Sequence, residues 1–235
     1  MAVALPHPAE KAALVRAMFD RIAPRYQRLN TVLTLGLDRG WRRAAIAATG
    51  LHAGDLVVDV ACGTGDLAAL AATAGVRAVG VDFAPAMLAR ARGRGAALVR
   101  ADAVALPLRP ACADAVTCGF ALRNVVEIRT VLAEAARVLR PGGRLVLLEI
   151  AAPRVAALRW VHRAYFHRLV PFVGGLLAER AAYAYLPASE VYLPDETTLG
   201  SLIESVGFVD VERLLLGAGA VQLVTARAAC LVEAA

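Results

Sequence analysis

Lysine is almost missing from this chain: of 26 basic residues 25 are arginine, and Lys11 stands alone. Beside 52 alanines this reads as an Ala/Arg-favouring coding bias. The formal charge of +6 and the pI of 9.6 therefore give no support to a nucleic-acid surface, which would cluster its cations. Cysteine is scarce too. Cys62, Cys112, Cys118 and Cys230 show neither CxxC spacing nor the density of a disulfide framework, which fits a reducing cytoplasm and no metal site. Long apolar runs are absent: the longest stretch without Asp, Glu, Lys or Arg is the 13 residues Leu214–Ala226, where a membrane span needs roughly 18 or more. The opening Met-Ala-Val-Ala-Leu-Pro-His-Pro lacks a basic region followed by an apolar one, so no secretory signal is expected. The 19 Gly and 11 Pro follow no period, and 59% apolar residues exclude disorder. A length of 235 residues suits one domain with a real core.

What is present is an alternation. Residues 9–50 read as helical, with Ala12, Val15, Met18, Phe19 and Ile22 at helical spacing up to Pro24. Short apolar runs then alternate with Ala-rich helical segments: strands at Leu56–Val60, Ala78–Val81, Ala97–Arg100, Ala115–Cys118 and Arg144–Ile150, helices at Leu67–Ala74, Pro85–Gly93 and Ile128–Leu139. Pro141-Gly142-Gly143 is expected to end the last helix with a break and a turn. Such alternation predicts an α/β fold, a doubly wound and mostly parallel sheet built from right-handed crossovers. Between Ala151 and Pro194 the alternation stops and aromatics concentrate (Trp160, Tyr165, Phe166, Phe172, Tyr183, Tyr185, Tyr192), which reads as a helical cap insertion. A helix at Thr197–Val206 follows, then Phe208–Leu216 and Ala220–Ala226, an antiparallel C-terminal strand pair joined by Gly217-Ala218-Gly219. A single domain is expected, organised as an N-terminal helical segment (1–50), a cofactor-binding core (51–150), the cap (151–195) and the closing helix and strand pair (196–227).

The strongest chemical signal is Val57-Val58-Asp59-Val60-Ala61-Cys62-Gly63-Thr64-Gly65-Asp66, a strand that runs into a glycine turn opening a helix. Glycines there let a ligand approach the backbone closely. Gly63-x-Gly65-x-x-Ala68 would also fit a dinucleotide fingerprint, but Asp59, four residues before Gly63, is out of place beside a pyrophosphate, because both are anions. It suits a cationic ligand, and S-adenosylmethionine (SAM) carries an ammonium and a sulfonium. Asp82 ends the next strand, where its two oxygens can take both hydroxyls of a ribose. Asp102-Ala103 follows the third strand, placed for an adenine amino group, with Phe83 and Leu106 as apolar walls. The cofactor-binding set is thus Asp59, Gly63, Thr64, Gly65, Asp82, Phe83, Asp102 and Ala103, converging on the crevice at the carboxyl ends of the strands.

On these motifs the chain resembles the class I SAM-dependent methyltransferases, and more narrowly the ubiquinone/menaquinone biosynthesis C-methyltransferase family, from about Val15 to Arg227. The general part of the likeness is the glycine turn, Asp82, Asp102-Ala103 and Arg137-Val138-Leu139-Arg140-Pro141-Gly142-Gly143. The specific part is Phe19-Asp20-x-Ile22-Ala23-x-x-Tyr26-x-x-x-Asn30 leading to Trp41-Arg42, then Phe120-Ala121-Leu122-Arg123-Asn124-Val125, and Tyr183-x-Tyr185-Leu186-Pro187-x-Ser189 with Leu193-Pro194. The chain departs from the family pattern at Gln27 (Asp), Thr34 (Ser), Asp38 (His) and Ala121 (Gly).

The resemblance implies methyl transfer to a ring carbon of a prenylated quinol, most simply demethylmenaquinol to menaquinol. The benzoquinol step of ubiquinone synthesis and another phenolic small molecule remain open, the latter favoured by Gln27 and Asp38. Two non-family readings are weaker. An RNA methyltransferase lacks support in an (Asp/Asn)-Pro-Pro-(Tyr/Phe) element, a Pro-Cys nucleophile or a basic RNA-binding domain, and a non-catalytic scaffold sits badly with an intact glycine turn. No nucleic-acid partner is expected. Arg123 and Asn124 are candidates to grip the quinol oxygen, Arg123 as a phenolate stabiliser, against the bland alternative of an i,i+4 salt bridge to Glu127. Tyr185 is a candidate donor from the cap, His162 and His167 are candidate bases, and core packing or a solvated face is the plainer reading of each. Val155–Val170 places Leu158, Val161, Tyr165 and Leu169 on one side and Arg159, Arg163 and Arg168 elsewhere. It reads first as a cap helix and second as a peripheral contact with an anionic membrane.

Overall fold

The computed structural model describes residues 8–177, 185 and 187–230. Three helices come first: α1 (Pro8–Ile22), α2 (Tyr26–Leu33) and α3 (Asp38–Thr49). The alternating part gives β1 (Leu56–Val60), α4 (Asp66–Thr73), β2 (Arg77–Asp82), α5 (Pro85–Ala91), β3 (Ala97–Arg100), β4 (Ala113–Gly119), a 3-10 turn (Leu122–Asn124), α6 (Ile128–Val138) and β5 (Leu139–Ile150). Then come α7 (Ala156–Ala164), a π-helical turn (Tyr165–Leu169), α8 (Val170–Leu177), a 3-10 turn (Ser189–Tyr192), α9 (Glu196–Ser205), β6 (Phe208–Leu216) and β7 (Val221–Ala228). Of the cap motif, Tyr183 and Leu186 lie outside the described residues.

The strands form one sheet in the order β3-β2-β1-β4-β5-β7-β6. The first five are parallel, β7 runs antiparallel to β5, and β6 antiparallel to β7. Because the chain winds outward from β1 to β3 and then restarts at β4, the β1/β4 junction is the switch point at which such sheets open a crevice. Val57, Val58 and Val60 of β1 and Val116 of β4 are buried, as strands covered on both faces require. The main core joins Val58, Val60 and Val116 to Val131, Leu132, Ala135 and Val138, the apolar stripe of α6, while Val57 packs on the other side with Ala68 and Ala71 of α4.

The Pro-Gly-Gly element is not the break expected from the sequence. Strand β5 already begins at Leu139, opposite Ala113, and resumes pairing at Arg144 opposite Ala115, so residues 140–143 bulge out against Asp114 alone. Arg140 closes the bulge by pairing with the Asp114 carboxylate at 2.5 Å. A Cβ at Gly143 would lie 2.9 Å from the Arg140 carbonyl oxygen and 3.1 Å from that of Asp114, so only glycine fits the crossing. Leu106, expected as a wall of the ligand site, is instead buried in the main core, its N–H donating to Glu134 at 2.7 Å.

Helix α7 also differs from a cap that buries its apolar side. None of its residues is buried, and Leu158, Trp160 and Val161 face solvent. It is fastened at its end, where the Tyr165 hydroxyl donates to the Leu33 carbonyl of α2.

Candidate functional site

Strand β1 delivers Asp59 to the floor of the crevice, 1% exposed. The Thr117 hydroxyl donates to its Oδ1 at 2.8 Å and the Ala68 N–H to its Oδ2 at 3.2 Å, which ties β1 to β4 and to the first turn of α4. Burial pushes its carboxyl up to about 7 against those two hydrogen bonds. Between them the chain turns through Ala61, a non-glycine residue at φ +53°. Gly65 (φ +74°) ends the turn where α4 and α5 approach: a Cβ there would lie 2.9 Å from that of Ala91.

Asp82, the last residue of β2, takes the Gly63 N–H on Oδ2 and the Ala84 N–H on Oδ1, each at 2.8 Å. The Phe83 N–H also acts on this carboxylate, and since a carboxylate accepts about four bonds, acceptor capacity is left for a ribose hydroxyl after the turn has folded. Burial raises this carboxyl, and backbone N–H groups oppose the rise. Asp102 is exposed beyond β3 and caps its own loop by accepting from Val104 N–H.

Asp82, Phe83, Asp102, Ala103 and Gly63 line one cavity, roofed by Ala12, Val15 and Phe19 of α1 and closed by Asn124. Asp59, Gly63 and Thr64 line a smaller pocket beside it with Arg42 and Asp66. Gly65 lines neither and acts through helix approach. Burial would raise Asp66, but the Arg42 and Arg94 guanidiniums and the Gln27 amide hold it below the usual carboxylate range.

A third, larger cavity of about 280 Å³ opens beside Met18, Phe19 and Ile22 of α1. Its walls are mostly apolar or aromatic, with Met18, Ile22, Leu33, Leu37, Trp41 and Phe166 among them, and its polar groups are few: Arg123, Asp38, Arg42, Asn30, Thr34 and His162. Phe19, Tyr26 and Phe120 line both this cavity and the strand-end one, and Tyr26 borders all three. The Phe19 and Tyr26 rings meet edge to face at 6.0 Å. Tyr26 is a lining residue of all three that periodicity and spacing do not reveal.

The alternative pair of Arg123 with Glu127 does not form. Arg123 reaches instead across to β5, where its Nη1 donates to Glu149 Oε1 in a buried ion pair, and Glu127 accepts from the Thr130 hydroxyl at 2.6 Å. Glu149 had a sequence signal, a lone carboxylate inside the strand Leu145–Ile150, since a charge buried on both faces must find a partner. Among the described residues, the buried side-chain polar atoms with no hydrogen-bond partner are Arg123 Nε, Asn124 Oδ1, Glu149 Oε2 and Tyr185 OH. Folded proteins leave few such atoms, and three of these four belong to residues singled out from the sequence. Arg123 turns to the larger cavity and Asn124 to the strand-end cavity. Tyr185 lines neither. It packs among Val15, Met18, Ile22 and Met87, and burial pushes its phenol up to about 12, Tyr192 adding to the rise and Arg123 opposing it.

His162 faces the larger cavity, stacked on Phe166 at 5.7 Å. Burial lowers its imidazole, with Glu190 opposing and His167 reinforcing. His167 lies outside, exposed and 3.3 Å from Glu190. Three of the four positions that depart from the family pattern are tied down: Gln27 donates to Asp66 at 2.6 Å, Thr34 to Asp38 at 3.0 Å, and Asp38 pairs with Arg42.

The arrangement fits SAM by its own geometry. The remaining acceptor capacity of Asp82, an apolar wall at Phe83 and Ala103 and the unpartnered Asn124 oxygen line one cavity, with the buried Asp59 carboxylate in the pocket beside it.

The profile of the ubiE/COQ5 methyltransferase family matches residues 8–227. A demethylmenaquinone methyltransferase of Deinococcus radiodurans is 44% identical over 208 residues, 85% of this chain and 86% of its own. The ubiquinone/menaquinone biosynthesis C-methyltransferase UbiE of Geobacter sulfurreducens is 41% identical over 212 residues, 86% and 83% of the two chains. Among solved structures, a SAM-dependent methyltransferase of Thermotoga maritima matches with a TM-score of 0.64 at 20% identity, covering 91% of this chain and 99% of its own, a likeness of fold.

Proposed function

The chain belongs to the ubiE/COQ5 methyltransferase family, and we propose on that premise that it is the SAM-dependent C-methyltransferase that converts demethylmenaquinol to menaquinol. The observation that carries the reading is the meeting of two unlike cavities at Phe19, Tyr26 and Phe120: one edged by carboxylates at strand ends, the other large, greasy and supplied with a buried arginine. SAM supplies an electrophilic methyl group on a positively charged sulfur. In this reading Asp82 takes the ribose hydroxyls, Asp102 and Ala103 the adenine, and Asp59 the ammonium end, while Phe83 packs on the base.

The protein's task is then to hold a quinol carbon in line at about 3 to 3.5 Å and to make that carbon electron-rich. Loss of a phenolic proton does the second. Arg123 stabilises the phenolate oxygen as it forms, and Asn124 bridges toward the cofactor side. His162, kept largely neutral by burial, is the group in the larger cavity suited to receive the phenolic proton. Once methylated, the ring carbon sheds its own hydrogen as a proton, the phenolate oxygen is reprotonated, and one proton leaves overall. Apolar walls exclude water, which favours a step in which opposite charges combine. The test is methyl transfer from SAM to short-chain demethylmenaquinol and a demethoxy benzoquinol side by side. Label is expected in the naphthoquinol. Label in neither, with SAM bound, overturns the reading and moves the acceptor to another phenolic compound.

The prenylated acceptor also sets where the enzyme works. We infer a peripheral site on the cytoplasmic face of an anionic membrane. No helix among the described residues is long and apolar enough to cross one. Leu35 is 82% and Trp160 is 74% exposed, and Leu37, Leu158, Val161 and Phe172 are exposed as well, with Leu35 and Leu37 lining the larger cavity. Exposed arginines, Arg28, Arg39, Arg43, Arg163 and Arg168, accompany them. Flotation with liposomes containing anionic lipid, and not with neutral ones, is the expected result; no lipid-dependent flotation removes the membrane contact.

A further inference from the structure

The one lysine of the chain is not on the surface. Lys11 lies on α1, 4% exposed, and its Nζ donates to the carbonyl oxygens of Val125 at 2.7 Å and Arg123 at 3.1 Å. Above it, at 3.6 Å, is the centroid of the Tyr192 ring. One compact cation therefore serves two carbonyls two residues apart and an aromatic face. A guanidinium spreads its donors over a rigid planar fork and matches that cage poorly. Elsewhere in this chain the basic residue is always arginine, so the cage accounts for the single exception.

The two carbonyls belong to the loop that carries Arg123 toward the larger cavity and Asn124 toward the strand-end cavity. Helix α1 supplies Ala12, Val15 and Phe19 to the roof of the latter. Its other end is tied to α5, where Asp20 accepts from the Ala86 N–H at 2.9 Å. Thus α1 is a strap over the strand-end cavity, fastened at one end by Asp20 and at the other by Lys11. We propose that Lys11 is a positioning residue for methyl transfer: it locks the Arg123–Asn124 loop to α1, so that the acceptor-side groups are set only when α1 is seated over the cofactor cavity. The inference rests on the proposed assignment of the two cavities. Burial lowers the ammonium to about 8, which leaves it charged at neutral pH and able to make these bonds.

Lys11→Met replaces the ammonium with an apolar chain of similar length. In the folded variant kcat is expected to fall about tenfold or more, with the acceptor KM and the SAM affinity within about threefold of the parent, because misplaced groups cost alignment rather than binding. Amide exchange over residues 120–126 is expected to accelerate while that of β5 stays unchanged. Lys11→Arg should not restore turnover. A kcat within about twofold of the parent overturns the proposal even if the melting temperature drops, since Lys11 would then be a structural cation only. Unchanged exchange over 120–126, or full turnover in Lys11→Arg, overturns it too. Should Lys11→Met not fold, Lys11→Gln carries the same comparison. If the parent enzyme does not methylate demethylmenaquinol, the acceptor assignment fails alone, and the exchange comparison still decides the role of Lys11.

Discussion

Arg123 and Glu149 form an ion pair across the carboxyl ends of β4 and β5, both side chains closed off from solvent, with the Ile150 N–H adding a second bond to Glu149 Oε1 at 2.9 Å. A buried pair of this kind seldom stabilises a fold more than apolar residues of equal volume would, whereas removing one partner costs about 3 to 5 kcal/mol. Its retention beside the larger cavity therefore points to chemistry. Glu149→Gln is expected to lower stability by about 3 kcal/mol in urea unfolding and kcat by roughly 100-fold. Arg123→Met combined with Glu149→Leu should recover most of the stability and none of the turnover. A double variant with normal methyl transfer would retire Arg123 from the mechanism.

Asp82 is doubly committed, since the oxygens that would meet the ribose also hold the Gly63 and Ala84 N–H groups. Asp82→Ala removes both roles. Calorimetry should show SAM affinity lowered by about 100-fold or more, at least two charge-assisted bonds being lost. Arg123→Ala, by contrast, should leave SAM affinity near that of the parent. Equal SAM affinity in Asp82→Ala and the parent would place the ribose elsewhere.

The division between what the sequence discloses and what it withholds follows the range of the interactions. The strand at Leu56–Val60 and its glycine turn are local events, written in a buried apolar run and in residues that tolerate unusual φ, and they stand where the pattern puts them. The carboxylates at the strand ends were legible for the same reason. Arg123 was legible as a candidate, but its partner was not: Glu127 offers helical spacing, and only the β4–β5 pairing brings Glu149 to it. Tyr26 borders three cavities from the first position of α2, a placement that no periodicity encodes. Pro141-Gly142-Gly143 signals a turn without saying that the strand has already begun on its near side. In α7 the spacing gives an amphipathic helix and leaves open what covers its apolar side.

Asp59 makes binding of SAM and protons interdependent. With its carboxyl pushed up to about 7, the folded cofactor-free protein holds a proton that the unfolded chain has already lost. The stability this adds is fully present below about pH 4 and is lost as pH rises through about 7. Asp59→Asn should flatten that part of the pH profile of unfolding. A cation bound nearby favours the carboxylate, so SAM binding at about pH 6.5 should release protons, measurable by calorimetry in buffers of different ionisation enthalpy. Proton release of the same size in Asp59→Asn would assign it to another group.

On the proposed assignment of the two cavities Tyr26 stands between the reactants, since it lines both spaces with its ring set edge-on to Phe19. A partition of this kind has to be thin enough for a methyl group to pass and firm enough to hold the acceptor carbon on line. Tyr26→Phe keeps the ring and should retain kcat within about fivefold, whereas Tyr26→Ala merges the cavities and should lower kcat about 100-fold, since loss of alignment alone carries that cost. Affinity for SAM should change little in either, because the ribose and adenine contacts are assigned to Asp82, Asp102 and Ala103 rather than to this ring. Measuring kcat and SAM affinity in both variants separates the ring from the hydroxyl: an equal and large loss in Tyr26→Phe would make the phenol a direct participant in handling the acceptor proton, and the ring no more than its support.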